Sequence, residues 1–445
     1  MNIIETQTIC KIQWHQIEQK NNRICTSHPG FLLNYLCLTF LVLAILINTT
    51  AKADDLFPAW SVKGFGSIGF VRTNTNKLGF YRDRTQTRNA NKSLEISTDS
   101  RLGIQLDVNI NDSWHATTQF IVRDHAGNFF EQNLDLAYLR WYPNADTIVR
   151  AGRMGFDAFL LSDYRNVGYT YPWMRPPHEF YANIPITHYD GLDLKQNISL
   201  GDGYLSLKGY AGYTLTELSE EFLNLKLEGP IAGTNISYEN GNWRLRAGYT
   251  FIRQIKEAKV QELVSQINDP ESNVLFPGLN QLAPLLSIRD SNIHFMSLGT
   301  AYDDGIWLAH AEASYMDTQG QRIFNPDTAS AYLSIGRRFS KVTLYSVYGF
   351  SHSFHKKTKV PRPLFPDPAL IQSQQETESR FNNQAINEHS VSLGLRWDFY
   401  PKFAFKLQWV HYWLTDNGVS LWRSTEAVNN PDNVDVMSFG IDFIF

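Results

Sequence analysis

From Asp54 onward the chain alternates apolar and polar residues in segments of about ten. In the clearest segment, Leu102, Ile104, Leu106, Val108 and Ile110 fall on one side, and Arg101, Gln105, Asp107 and Asn109 on the other. Successive side chains of an extended strand point to opposite faces, so this period predicts a strand with one apolar and one polar face. Val391 to Phe399 repeats the pattern, with Val391, Leu393, Leu395, Trp397 and Phe399 against Ser392, Arg396 and Asp398. Trp243 to Phe251, Trp307 to Tyr315 and Phe403 to Trp409 follow it as well. The last segment sets Met437, Phe439, Ile441, Phe443 and the terminal Phe445 against Ser438, Gly440 and Asp442.

The segments are joined by connections of two kinds. Asn111-Asp112-Ser113, Pro143-Asn144-Ala145, Asn240-Gly241, Asp303-Asp304-Gly305 and Tyr400-Pro401-Lys402 are tight hairpin signals. Between the hairpins lie long polar stretches at Thr73 to Thr98, Gly155 to Tyr189, Arg253 to Ser291 and His352 to Asn387. Short turns at one end and long loops at the other are the rhythm of a transmembrane β-barrel, and a soluble sandwich has no reason to show it. Trp114, Trp141, Tyr142, Trp243, Trp307, Phe339, Trp397, Tyr400 and Phe403 cluster beside short turns, where they would form an aromatic girdle at one membrane boundary. The count predicts an all-β, antiparallel transmembrane barrel of about 16 strands, wide enough for an aqueous channel.

Composition narrows the choice. Mean hydropathy is -0.30 and 19% of residues are charged, values that exclude a helical membrane bundle. Aromatic residues make up 13% of the chain, which suits a barrel with one face in lipid. A formal net charge of -4 argues against nucleic-acid binding. The cysteines are Cys10, Cys25 and Cys37, so the remainder holds no disulfide framework, cysteine zinc site or cysteine nucleophile. Phe31 to Ile47 is an apolar run preceded by Lys11, Lys20 and Arg23 and followed by Ala51-Lys52-Ala53. That pattern predicts a signal peptide over 1–53, cut after Ala53, ahead of a barrel over 54–445; an uncleaved anchor is the rival reading. Gln254 to Asn268 has helical periodicity and is expected to form a short helix within a long loop.

VRAGRMG (Val149 to Gly155), the following SDYRNVGYTYPWMRPPHEFYANIPITHYDGLDL (Ser162 to Leu194), STDSRLGIQLDV (Ser97 to Val108) and the ending SFGIDFIF together resemble porin-like proteins of proteobacterial outer membranes, a branch of the general porin superfamily. The resemblance is strongest over Gly64 to Leu194 and at the last strand. It implies a barrel that passes small hydrophilic solutes, sits in outer-membrane lipid and lipopolysaccharide, and can assemble as a homotrimer. It also implies that Gly155 to Tyr189, joining the fifth and sixth strands, folds inward as a constriction loop.

In such a pore the polar strand faces and the inward loop carry the chemistry, because charges in a narrow lumen set ion preference. The candidates are Arg101, Arg123, Arg244, Arg246, Arg396 and Lys406, with Glu312 and Asp398, on the strands, and Asp157, Asp163, Arg165, Arg175 and Glu179 on the loop. Basic groups lead slightly, which points to a mild preference for anions; the alternative is that these charges pair with one another. Tyr169, Tyr171, Trp173, Phe180 and Tyr181 are expected to pack the loop onto the wall rather than to stack on substrate. A surface adhesin or receptor acting through its long loops is the second reading, and a barrel enzyme the remote third. His115, His294, His310 and His389 lie in no nucleophile motif, and His178-Glu179 does not extend to H-E-x-x-H. No cofactor is expected. N-terminal sequencing of the protein extracted from membranes is expected to begin at Asp54; a start upstream of Phe31 would establish the anchor instead.

Overall fold

The computed structural model describes residues 59–219, 224–255, 260–319, 322–354, 357–424 and 433–445. The expected signal peptide lies outside the described residues. The barrel is built from β1 (Ala59–Thr73), β2 (Arg101–Asn109), β3 (Trp114–Arg123), β4 (Leu134–Asn144), β5 (Thr147–Gly155), β6 (His188–Leu200), β7 (Gly203–Ser219) and β8 (Asn224–Asn240). It continues through β9 (Trp243–Arg253), β10 (Asn292–Asp303), β11 (Trp307–Asp317), β12 (Thr328–Phe339), β13 (Val342–Ser353), β14 (Ile386–Tyr400), β15 (Phe403–Val419) and β16 (Val434–Ile444). Each strand pairs antiparallel with its neighbours in sequence, and the sheet is closed. Closure joins β1 to β16 in a register running from Phe65↔Ile444 to Thr73↔Val436. Reciprocal bonds from Gly64 N to Phe445 O and from Phe445 N to Gly64 O extend it to the last residue. The expected strand number of about 16 is present. No helix among the described residues is long and apolar enough to cross a membrane.

The barrel is inside-out in polarity. On β16, Met437, Phe439 and Ile441 are exposed on the outer face, while Ser438 and Asp442 are buried on the inner one. Leu192, Leu194, Leu245, Leu298, Leu333, Leu344 and Leu393 continue the exposed apolar surface around the wall. A closed sheet pairs its own backbone groups, so such a surface can face hydrocarbon with no unpaired edge.

The short turns use residues suited to left-handed backbone. Gly241 (φ 54°) and Gly305 (φ 87°) occupy two of them, and Ser340 and Lys402 adopt the same region at greater cost. Trp114 and Trp141 stack at 5.8 Å beside their turns, and Trp243 meets Tyr302 at 4.8 Å. One member of the expected girdle is corrected. Tyr142 follows Trp141 on the strand and therefore turns inward, where its hydroxyl accepts from Arg140.

At the long-loop end the connections fold on themselves. Helices at Val260–Asn268, Pro270–Leu275 and Pro368–Asn382 form there; Val260, Ile267, Leu286, Val360 and Phe381 share a small apolar core. Asp269 and Asp367 cap the latter two helices, each ahead of a proline in the first turn. The β1–β2 and β15–β16 connections pair through Leu78–Gly79 and Arg423–Ser424. With inward-facing Val71, Val410, Tyr412 and Val436, Phe80, Leu421 and Trp422 fill that side of the interior.

Leu298 stands on the outer face of β10 with 65% of its surface exposed. Leu298→Arg is expected to lower folding stability in phospholipid vesicles by about 2–4 kcal/mol, measured by denaturant titration; an unchanged midpoint would mean that this face does not meet hydrocarbon.

Candidate functional site

The connection between β5 and β6 (residues 156–187) lies inside the barrel. Its backbone and side chains bond to inward-facing groups around most of the wall. Asn235 Nδ2 on β8 donates to Asp157 O, and Ser297 Oγ on β10 to Ala158 O. Leu160 N donates to Glu312 on β11 at 2.7 Å, and Tyr181 and Tyr332 hydroxyls donate to the same carboxylate. Trp173 Nε1 reaches Ser334 on β12, and Met174 N reaches Gln408 on β15. Lys406 Nζ donates to Gly168 O and Trp173 O, both at 2.7 Å, and pairs with Asp442 at 2.7 Å. A chain enclosed by a barrel must find partners for its peptide groups, and the polar inner wall supplies them.

Apolar contacts complete the seat. Tyr171, Trp173, Phe180 and Tyr181 are buried, with Phe159 4.8 Å from Tyr181 and Trp173 5.9 Å from Tyr332. These aromatics pack the loop against the wall, as expected.

The structure disperses the expected site residues into distinct roles. Arg101 donates to the Tyr171 hydroxyl and Arg123 to Asn166. Arg175 pairs with Asp99 at 2.5 Å, and Arg396 holds Tyr169 O and Tyr171 O while bridging to Asp398 at 2.8 Å. Glu312 and Lys406 are buried beneath the loop, and Glu179 is buried on the loop itself. Arg244 pairs with Glu239 at 2.7 Å, half-exposed. Asp157, Asp163, Arg165 and Arg246 do come together, around a cavity of about 390 Å³ between the loop and the wall from β2 to β9.

That cavity is lined mainly by residues outside the expected set. Arg140, Arg150, Lys195 and Lys208 join Arg165 and Arg246 there, against Asp135, Asp157 and Asp163. Asp193 binds Arg150 through both carboxylate oxygens and lies 3.3 Å from Lys208. Asp157 lies 2.6 Å from Lys208 and 2.5 Å from Arg246. Burial would raise the Asp157 carboxyl, but these two cations hold it well below the usual carboxylate range. Burial and the adjacent Arg123 push Arg165 down to about 10. Arg140 bonds to the hydroxyls of Tyr138 and Tyr142 rather than to a carboxylate. Alternation could have marked Arg140, two residues from Tyr138 and Tyr142 on one strand face; β5 and β6 carry too little apolar contrast to mark Arg150 and Lys195. Asp99 had no signal, since it sits in an irregular connection.

These features define a class: a closed, 16-stranded antiparallel transmembrane β-barrel, crossed internally by the connection between its fifth and sixth strands. The chain is similar in fold to the outer-membrane expressed OmpT of Vibrio cholerae (12% identity, TM-score 0.49, covering 89% of this chain and 99% of that one). It is also similar to an anion-selective porin from Comamonas acidovorans (12% identity, TM-score 0.48, 87% and 100% covered). A third is the outer membrane channel DcaP of Acinetobacter baumannii (12% identity, TM-score 0.47, 89% and 100% covered). No family model and no curated protein sequence matches the chain.

Removing one member of a buried ion cluster strands the others. Asp157→Asn is therefore expected to weaken the loop's attachment by about 3–5 kcal/mol. Hydrogen exchange should show lost protection over 156–187 with the strands still protected; unchanged protection there would remove the anchoring role.

Proposed function

We propose that the protein is a porin of the bacterial outer membrane, a passive diffusion channel for small hydrophilic solutes with a mild preference for anions. The observation that carries this reading is the basic wall of the cavity. Arg140 stands directly opposite Arg150 in the β4–β5 register, and Lys195 opposite Lys208 in the β6–β7 register. Like charges in opposing positions are unfavourable unless something anionic lies between or beside them. Asp193 and Asp157 neutralise Arg150, Lys208 and Arg246 in part. Arg140 and Lys195 have no carboxylate partner among the described residues. A passing anion would supply the missing charge, in a narrow space where water screens poorly.

The remainder of the barrel is consistent with this role. The exposed apolar exterior suits contact with lipid and the acyl chains of lipopolysaccharide, and the polar interior suits water. The loop narrows the lumen by occupying it, so size and charge are selected together. No energy input is needed, because solute follows its own gradient.

In planar bilayers, the purified barrel is expected to give discrete conductance steps. In a potassium chloride gradient its reversal potential should indicate chloride over potassium. Arg140→Glu combined with Lys195→Glu should move that potential toward cation preference. A folded barrel with no conductance steps would overturn the channel, and a cation-selective wild type would overturn the charge assignment.

A further inference from the structure

The last part of the internal loop contains a group of ionisable side chains that anchoring alone does not account for. The short helix His178–Tyr181 places His178 and Glu179, both buried, against β13, β14 and β15. Glu388 of β14 lies opposite, with its Oε1 3.6 Å from His178 Nδ1, and accepts from Trp422 Nε1 at 2.7 Å. Gly349 of β13 leaves room for the Glu179 carboxylate: a Cβ there would come within 2.8 Å of its Oε2. Ser390 is beside Glu179, and the Tyr412 hydroxyl of β15 shares the enclosure. Glu179 Oε1, Glu388 Oε1 and both ring nitrogens of His178 have no hydrogen-bond partner among the described residues. From the β1–β2 connection, Phe80 and Tyr81 close the space around the imidazole. Arg175, packed over the Phe80 ring, donates to Asp99 and Ser438.

Two buried carboxylates in one enclosure, neither paired with a lysine or arginine among the described residues, cannot both carry charge without a large penalty. Burial, reinforced by the Glu388 charge, pushes Glu179 up to about 7. We propose that a proton on Glu179, enclosed against Glu388 and His178, latches the internal loop to β14, so that loss of this proton releases the helix His178–Tyr181 and opens the lumen. The sign follows from proton binding. The seated loop holds its proton more tightly than the released loop, so seating is strongest in acid. It weakens as pH rises from the ordinary carboxylate range to about 7. Over that range the seating equilibrium changes on the order of a hundredfold.

The effect on solute flow rests on the diffusion-channel reading; the latch does not. The test is hydrogen exchange on the refolded barrel from pH 5.5 to 8.5, expressed as protection factors, beside bilayer current over the same range. Protection over 176–184 is expected to fall about thirtyfold over this range with rising pH while β14 stays protected. Glu179→Gln, which keeps the neutral form, should hold protection high throughout and leave the current insensitive to pH. If the first variant does not fold, Glu388→Gln, which removes the reinforcing charge but leaves Glu179 buried, should make the fall smaller than in the wild type. Flat protection in the wild type, or the same fall in a folded Gln variant, would overturn the latch. A fall in protection with no current at any pH would uphold the latch and overturn the channel.

Discussion

A strand in hydrocarbon has no water to satisfy its peptide groups, and the rest of the structure depends on that constraint. The sheet must therefore close, and it does so by pairing β1 with β16 through the final residue of the chain. Closure makes the outer face the solvent-facing one in the sense of lipid, so apolar side chains face outward and polar ones inward. The aromatic pairs beside the short turns mark where that lipid face ends.

The same requirement acts a second time inside. A loop of irregular backbone within a barrel brings in peptide groups that need partners, and it takes them from the inner wall. Lys406, Arg396, Glu312 and Gln408 bond to loop backbone, and Ser334 bonds to the Trp173 side chain. Side chains that an empty lumen would show to solute are thereby used to hold the loop. Phe80 and Trp422, from neighbouring connections, add an apolar filling near the β14–β16 wall. The cavity left between loop and wall lies on the β2–β9 side, where the basic residues are gathered.

Buried charge is handled in three ways. Asp157 is matched by Lys208 and Arg246, an arrangement that fixes the start of the loop. Arg140 is held by phenols and keeps its charge unmatched at the cavity. Glu179 and Glu388 face each other without a matching cation, so the far end of the loop carries a strain that the near end lacks. A loop fixed at its start and conditionally seated toward its end is suited to movement about the fixed part.

Alternation of period two is local, and lipid enforces it strictly on one face, so the sequence alone determined a barrel of about 16 strands, the faces, the turns and the existence of a long connection between β5 and β6. Arg396 and Lys406 could be assigned to the inner face on the same ground. What they meet there could not. Lys406 bonds to Gly168 and Arg396 to Tyr169, partners more than 200 residues away in sequence, through the path of a loop that has no periodicity. Arg140, Arg150, Lys195 and Lys208 became one basic wall only when register set their strands side by side. The tertiary structure alone decided which polar residues anchor the loop and which remain open to solute, because that division depends on where the loop lies within the barrel and not on any residue's neighbours in the chain.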